Sequence, residues 1–572
     1  MGKLSGGMIL CTALEKLGVK HVFGLPGSQN VLFFEALRQS SIRTILATHE
    51  LAAAFMANGY YRASGTPGVL TTIPGPGFAY TVAAIAEASQ DSSALLYIAS
   101  QPVEDSNKKF HRQSVDQRAL LAPMVRRVVE VDRGVDIQNA VREAYAATTA
   151  GEPGPVLLLV KNRAIWEEAE FTANENIQNR SLPSLDPAAI KEVVQALEKS
   201  RRVVLFVGQG VSESAGQLRK LIELVHASVI TTRSGRGVIP EDHPQVLRFV
   251  YSEPALHALN SVFERSDLIL AIGCKFSQNG THGFQLRIPE SKLIHVDAST
   301  EVLNANYPAR LAIHSNAGIF LDQLLGSLTA VALPHSEWTA EELSAYKKSG
   351  ADYANEPEPK VNGVNPSTPA GFFTALRKAM PPDACLVTDS GLHQVLSSRH
   401  FRVQSPRGIV SPSDFQSMGF GLPSAIGAKL SCPNRKIVAI IGDGGFAITG
   451  MEIVTAVREQ IPLTIIVFND GALGQIRLQQ ISRFGHTHAT NLQTPNLELF
   501  AQAVGANYAY LDGDAESVLR AAMESNSVTL VEVNVGDSNS IRAERIKALT
   551  RETSRKILKH SKLGWIKSRL RQ

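Results

Sequence analysis

Residues 437–474, reading IVAIIGDGGFAITGMEIVTAVREQIPLTIIVFNDGALG, constrain the fold more than any other stretch of the chain. The apolar run at 437–441 has the length of a strand buried on both faces of a parallel sheet. It breaks at Gly442-Asp443-Gly444-Gly445, where glycines permit tight turning and close approach of backbone to a ligand. A helical pattern follows, with Met451, Ile453, Val454 and Val457 expected on its buried face. Pro462 ends it, and a second strand over 463–468 stops at Asn469-Asp470-Gly471. The unit is strand, loop, helix, strand, with a polar residue at the carboxyl end of each strand. Ligands of open parallel sheets sit at that edge.

The polar residues there form a coherent donor set. Asp443 offers a carboxylate, Asn469 an amide oxygen and Gly471 a main-chain carbonyl, the hard oxygens that magnesium takes while keeping phosphate oxygens in its shell. The amides of Gly444 and Gly445 are placed to face phosphate near a helix start. A lone GDG is ordinary turn chemistry. GDG between two strands, with Asn469 closing the second, resembles the thiamin diphosphate motif of the pyruvate decarboxylase and acetolactate synthase superfamily. The resemblance is nearest to acetolactate synthase large (catalytic) subunits and runs through nearly the whole chain up to the tail. It implies an α/β protein of three doubly wound parallel-sheet domains: pyrimidine-binding (1–170), central (186–335) and diphosphate-binding (369–537), then a basic tail (538–572).

Composition agrees with a globular enzyme. The 572 residues suffice for about three domains, and 44% apolar with 19% charged residues is ordinary for one. No segment has the length of uninterrupted apolar residues that a membrane span needs. The N-terminus lacks a secretory pattern, and Cys11, Cys274, Cys385 and Cys432 are too scattered for a metal or disulfide framework. A cytoplasmic, reduced protein is expected. Net charge is +4, yet residues 541–572 hold eleven Lys or Arg against Glu544 and Glu552. The body is therefore mildly acidic, and no nucleic-acid partner is expected.

Before residue 170, strand and helix patterns alternate, as in a parallel sheet covered on both faces. Strands are expected within 21–30, 44–50, 68–80, 94–100 and 155–160. Glu50 ends one strand and starts a helix. By position alone it is a helix cap. The resemblance gives it a second role: hydrogen bonding N1′ of the cofactor's aminopyrimidine, so that proton transfer at the reacting carbon runs through the cofactor itself. The Gly75-Pro76-Gly77 loop downstream matches the same pattern. In the polar loop 108–118, Gln117 is the best match to a glutamine that reaches the active centre of acetolactate synthases, with Gln113 as rival. His111 stands alone there, whereas pyruvate-type decarboxylases carry adjacent histidines.

A linker is expected over 171–185 and another over 336–369. Between them, strands end in Gly208-Gln209-Gly210 and Gly273-Cys274-Lys275-Phe276. The corresponding domain holds FAD in acetolactate synthases and ADP in oxalyl-CoA decarboxylases. Lys275 stands where the acetolactate pattern has arginine, and lysine lacks that planar fork. FAD, ADP and an empty structural domain all remain open. In the last domain, Gly391 and His393 resemble the loop that contacts the diphosphate. Met418 matches the apolar residue that holds the cofactor bent, although methionine is also a common core filler.

The resemblance implies a magnesium-dependent carboligase that joins a decarboxylated 2-keto acid such as pyruvate to a carbonyl acceptor. Gln479, where acetolactate synthases have tryptophan, sets the acceptor pocket apart. Together with Lys275 and Ser28, it keeps open a lyase or decarboxylase of the 2-hydroxyacyl-CoA, oxalyl-CoA or benzoylformate type. A catalytically silent scaffold, binding a membrane surface or partner through the tail, is the contrasting class. Intact Glu50, Asp443 and Asn469 argue against it. The tail has three readings: a cationic lid, a surface helix anchored by Trp565, and a solvated end. Superfamily sites lie between the pyrimidine domain of one subunit and the diphosphate domain of another, which implies a homodimer or homotetramer.

Overall fold

The computed structural model describes residues 3–102, 107–171, 185–351 and 358–536. They form three six-stranded sheets, each wholly parallel, together with a small antiparallel pair, Lys3–Ser5 with Glu168–Glu170. In spatial order the first sheet runs Arg43–Leu46, His21–Gly24, Gly68–Thr72, Leu95–Gln101, Pro155–Lys161, Arg127–Val131. By sequence rank that order is 2-1-3-4-6-5, and the third sheet, which holds Cys385–Thr388, Ile437–Gly442 and Thr464–Asn469, repeats it. The central sheet instead follows 3-2-1-4-5-6, the order of dinucleotide-binding folds. Helices cover both faces of every sheet, so the inner strands are buried along nearly their whole length.

Four local features differ from the sequence reading. Arg127–Val131 is a strand that the pattern did not single out, because it lies at a sheet edge and alternates charge with valine. A last short strand, Glu168–Glu170, also follows Pro155–Lys161. The expected linker 336–369 contains the helix Ala340–Gly350, capped by Thr339 and packed on the helix Glu253–Arg265. Trp338 and Leu343 bury beside it, and the Trp338 indole donates to the Val203 carbonyl at 3.0 Å. Finally, the helical stretch after Asp443 is two helices, Asp443–Thr449 and Glu452–Arg458. The buried positions Phe446, Thr449, Ile453 and Ala456 stay on one face through Gly450, and Met451, two residues from Ile453, falls on the opposite side and is exposed rather than in the core.

The first and third units meet through two helices, Glu50–Ser64 and Gly421–Ser431. Small residues set how closely they approach. A Cβ on Gly59 would lie 2.1 Å from the Ser424 carbonyl oxygen, and one on Gly427 1.9 Å from that of Met56. The seam fixes the chain on either side of it, including the turn that carries Glu50. That turn is also tied down from the third unit: the Thr48 amide donates to the buried Glu452 carboxyl at 3.0 Å, and Arg43 donates to the Glu459 carbonyl at 2.7 Å.

Candidate active site

The third sheet reverses strand order between Cys385–Thr388 and Ile437–Gly442, and a crevice opens at their carboxyl ends, as expected at a topological switch point. A cavity of about 500 Å3 occupies it. Gly391, His393, Met418, Asp443, Gly444 and Gly445 all line this cavity. Met418 is 37% exposed, so it faces the opening and is not core filler. Its Cε lies 3.0 Å from where a Gly444 Cβ would stand, so Met418 covers the Gly444 main chain. A Cβ on Gly445 would meet the Asp389 carboxyl at 2.6 Å.

Asp443 and Asn469 converge on one point. The Thr494 hydroxyl lies 3.0 Å from Asp443 Oδ2 and 3.2 Å from Asn469 Oδ1. A hydroxyl has one proton to give, so it cannot satisfy both acceptors at once. The Asn469 amide is oriented from behind: its Nδ2 donates to Glu532 Oε1 at 2.7 Å, while Tyr508 holds the other Glu532 oxygen at 2.7 Å. Gly471 has φ +60°, a conformation suited to glycine. Its carbonyl accepts from the Leu492 amide at 2.8 Å, leaving a second lone pair. Burial pushes the Asp443 carboxyl above its ordinary range. Asp470 next to it rises to about 7, through burial and then the Asp443 charge.

His393 is buried, and burial depresses it to about 4, so its ring is neutral. Its Nε2 has no hydrogen-bond partner among the described residues. A buried, unpartnered imidazole nitrogen at a ligand crevice has the form of a site awaiting a polar ligand.

No residue of the first sheet unit lines this cavity. Glu50 stands, half-buried, at the start of its helix. The capping acceptor is the neighbouring His49, whose ring takes the Leu51 amide at 3.1 Å, so Glu50 is free of that duty. Its carboxylate oxygen would lie 2.9 Å from a Cβ on Gly77, so the GPG loop runs directly against it. Gln113 packs its main chain on Gly75 of the same loop. Gln117 is buried, donates to the Ser100 carbonyl at 3.3 Å, and leaves its Oε1 without a partner.

Comparison with known proteins follows this geometry. Residues 389–533 match the family described as thiamine pyrophosphate enzyme, C-terminal TPP binding domain. Residues 4–120 match its N-terminal TPP binding domain, and residues 190–324 its central domain. The chain belongs to the thiamine pyrophosphate enzymes, of the acetolactate synthase-like type. Thiamine pyrophosphate is thiamin diphosphate by another name. A probable acetolactate synthase large subunit of Methanocaldococcus jannaschii is 29% identical over 556 residues, covering 94% of this chain and 93% of its own. The acetolactate synthase large subunit of Haemophilus influenzae is 28% identical, with 95% and 96% covered. The isozyme 1 large subunit of Escherichia coli is 29% identical, with 84% of each covered.

In this thiamine pyrophosphate enzyme, sequence reasoning missed Thr494, Glu532 and Asp389. Thr494 and Glu532 sit in no glycine motif, and Asp389, although it precedes Gly391 in the Asp389-Ser390-Gly391 turn, acts on Gly419 and Gly421, which only tertiary structure brings to it. Asp389 is the most consequential of them. It is fully buried, accepts from the Gly419 and Gly421 amides at 3.0 and 3.2 Å, and is raised by burial to about 7. Gln479 is exposed, and Gln475 and Ile476 of the same helix line the cavity in its place. The basic tail lies outside the described residues. Among those residues, no helix is long and apolar enough to cross a membrane.

Proposed function

We propose that the chain is a magnesium- and thiamin diphosphate-dependent carboligase that condenses a decarboxylated 2-keto acid of the pyruvate type with a carbonyl acceptor. The observation that carries this reading is the convergence of Asp443 and Asn469 on the Thr494 hydroxyl, beside the unpartnered Nε2 of His393. Two oxygen donors aimed at one point suit a small hard cation, with the spare lone pair of Gly471 as a third. Gly444 and Gly445 line the cavity without side chains, which gives a diphosphate room to approach their main chain. The residues present fit the cofactor. When bound, it supplies the electron sink for carbon–carbon bond chemistry at a carbonyl carbon.

The chain's own part is to hold and to move protons. Asp443, Asn469 and Gly471 bind the cation, with Glu532 orienting Asn469. His393 and Gly391 would meet the diphosphate, and Met418 would pack against the cofactor in the crevice. Glu50 holds a proton at its carboxyl against the aminopyrimidine, and Gln117 orients the substrate from the loop beyond it. Glu50 lies outside the cavity of its own chain, which supports an assembly in which a second copy brings its Glu50 to the crevice. A homodimer is then the smallest active unit. The exposed Ile448, which packs against Gly419 next to Met418, and the exposed Met451 suit burial in such an assembly.

A second cavity, of about 310 Å3, opens at the switch point of the central sheet and is walled also by residues of the first and third units, among them Gln90, Glu152 and Asp414. That volume lies at the small end of ligand pockets and suits a nucleotide such as ADP, or the corresponding half of FAD. Lys275 is already committed there, to Glu152 at 2.6 Å and the Gln90 carbonyl at 2.9 Å. It therefore does not replace the expected arginine as a free phosphate ligand. This commitment, with Gln479 turned out of the cavity, favours a second reading: a lyase or decarboxylase of the 2-hydroxyacyl-CoA, oxalyl-CoA or benzoylformate type.

The test is incubation with thiamin diphosphate, magnesium and pyruvate, following carbon dioxide and the carbon product. Acetolactate is the expected result. Acetaldehyde alone would replace the carboligase by a decarboxylase, and no carbon dioxide would move the donor to the acyl-CoA or aryl class.

A further inference from the structure

The main chain around Met418 is gripped from two sides. On the cofactor-domain side, Asp389 takes the amides of Gly419 and Gly421. On the other side the grip comes from the first unit of the same chain. Arg62 donates to the Ser411 carbonyl at 2.7 Å and to Asp91 Oδ2 at 2.6 Å. Asp91 Oδ2 accepts from the Ser413 amide at 3.3 Å, and Glu87 Oε2 accepts from the Ser417 amide at 2.8 Å. Arg62, Glu87 and Asp91 are all buried.

Charge in this cluster does not balance if both acids are ionised. Arg62 is the cation in contact, and it is paired with Asp91. Glu87 has no ion pair among the described residues, and its Oε1 and Asp91 Oδ1 both lack a donor. Glu87 and Asp91 stand one helical turn apart, with the Asp91 amide bonded to the Glu87 carbonyl, so their side chains are neighbours on one face. A proton kept on Glu87 and donated to Asp91 satisfies both orphan oxygens and leaves one carboxylate for one guanidinium.

We propose that Glu87 is a positioning residue: a neutral acid that shares its proton with Asp91, fixes the main chain at Ser417, and so sets where Met418 stands in the crevice. This deepens the proposed function and rests on the reading of Met418 as cofactor support. The protonation itself has a physical cause, since burial and then the neighbouring Asp91 push the Glu87 carboxyl up to about 8. The other charged groups facing the cluster are Arg62 on the Glu50–Ser64 helix, Asp414 in the gripped loop and Arg233 from the central unit.

A neutral acid has a close isostere in glutamine, which accepts through its oxygen and donates through its amide. Two readouts on the full-length chain test this: hydrogen–deuterium exchange over 411–421 without cofactor, and the Kd for thiamin diphosphate with magnesium from pH 7 to 9.5. Glu87→Ala should speed exchange over 411–421 and raise Kd about tenfold, as for a lost buried hydrogen bond. Glu87→Gln should keep both at wild-type values at pH 7 and abolish the weakening expected of the wild type above about pH 8. Wild-type exchange in Glu87→Ala overturns the proposal. So does a glutamine variant as impaired as the alanine one, because the acid would then be working as an anion. If Glu87→Ala does not fold, the glutamine variant and its pH profile carry the test alone. Failure of every form to bind thiamin diphosphate strikes the proposed function instead, and the exchange arm still judges the positioning.

Discussion

The first and third sheets share one strand order and differ in what they carry at their carboxyl edge. The third sheet presents an interlocked polar set, in which Thr494 spans Asp443 and Asn469 while Glu532 holds Asn469 from behind. The first presents Glu50, relieved of capping by His49 and leaning on the GPG loop, while its other edge acid, Asp132, is paired with Lys161. One architecture thus supports both a binding cluster and a separate acid, since function resides in the site and not in the fold. The contrast predicts a division of labour: variants at the third edge should act on cofactor affinity, and variants at the first edge on turnover.

The largest expected effect is at Glu50. Glu50→Gln keeps shape and removes the titrating proton, so turnover should fall by about 10²–10⁴-fold while magnesium-dependent cofactor binding stays near wild type. Comparable turnover in the variant would remove Glu50 from the mechanism. Next comes the seam that joins the two units. A Cβ at Gly59 would meet main chain at 2.1 Å, and backbone cannot step aside as a flexible side chain can. Gly59→Ala should therefore cost roughly 1–3 kcal/mol in chemical denaturation. An unchanged midpoint would mean that the helices are not locked at this distance.

The third edge can be probed without touching a proposed ligand. Glu532→Gln leaves an oxygen for Asn469 but loses the charge that orients it, and such outer partners are worth about 10–100-fold in metal affinity. Magnesium titration of cofactor binding should show that loss with little change in turnover at saturation. A fall in saturated turnover alone would place Glu532 in the chemistry rather than behind the metal.

How legible all this was in sequence follows from the range of the forces involved. The strand at 437–441 and the turn at Gly442-Asp443-Gly444-Gly445 are local signals: apolar runs and glycines declare themselves within a few residues. So the sheets, the crevice and most of its lining could be placed in advance. Thr494 and Asp389 could not, because they act across 25 or more residues through ordinary polar side chains whose partners only folding supplies. Met451 shows the opposite failure. Its apolar type suggests core, yet a position two residues from the buried Ile453 faces the other way on a helix. Likewise 336–369 looked polar enough for a linker, yet Trp338 and Leu343 suffice to dock a helix there.

The central unit, with its different strand order, extends the comparison to pH. His295 lies fully buried on the strand Leu293–Asp297, bonded to the Cys274 carbonyl at 3.0 Å, and burial depresses it to about 4. Unfolded, it would titrate near 6.5, so between those values the unfolded chain binds the extra proton and stability falls as pH falls. The buried Asp389 in the third unit does the reverse. It is raised to about 7, so there the folded state holds the extra proton, and stability falls as pH rises through the range between its unfolded value and 7. His295→Gln should therefore soften the acid-side loss by about 1 kcal/mol between pH 7 and 5.5, measured by denaturant midpoint against wild type. The same variant should leave the alkaline side unchanged. An identical acid slope in both proteins would mean that His295 charges within the folded state, and that the central unit opens to water where its sheet is closed.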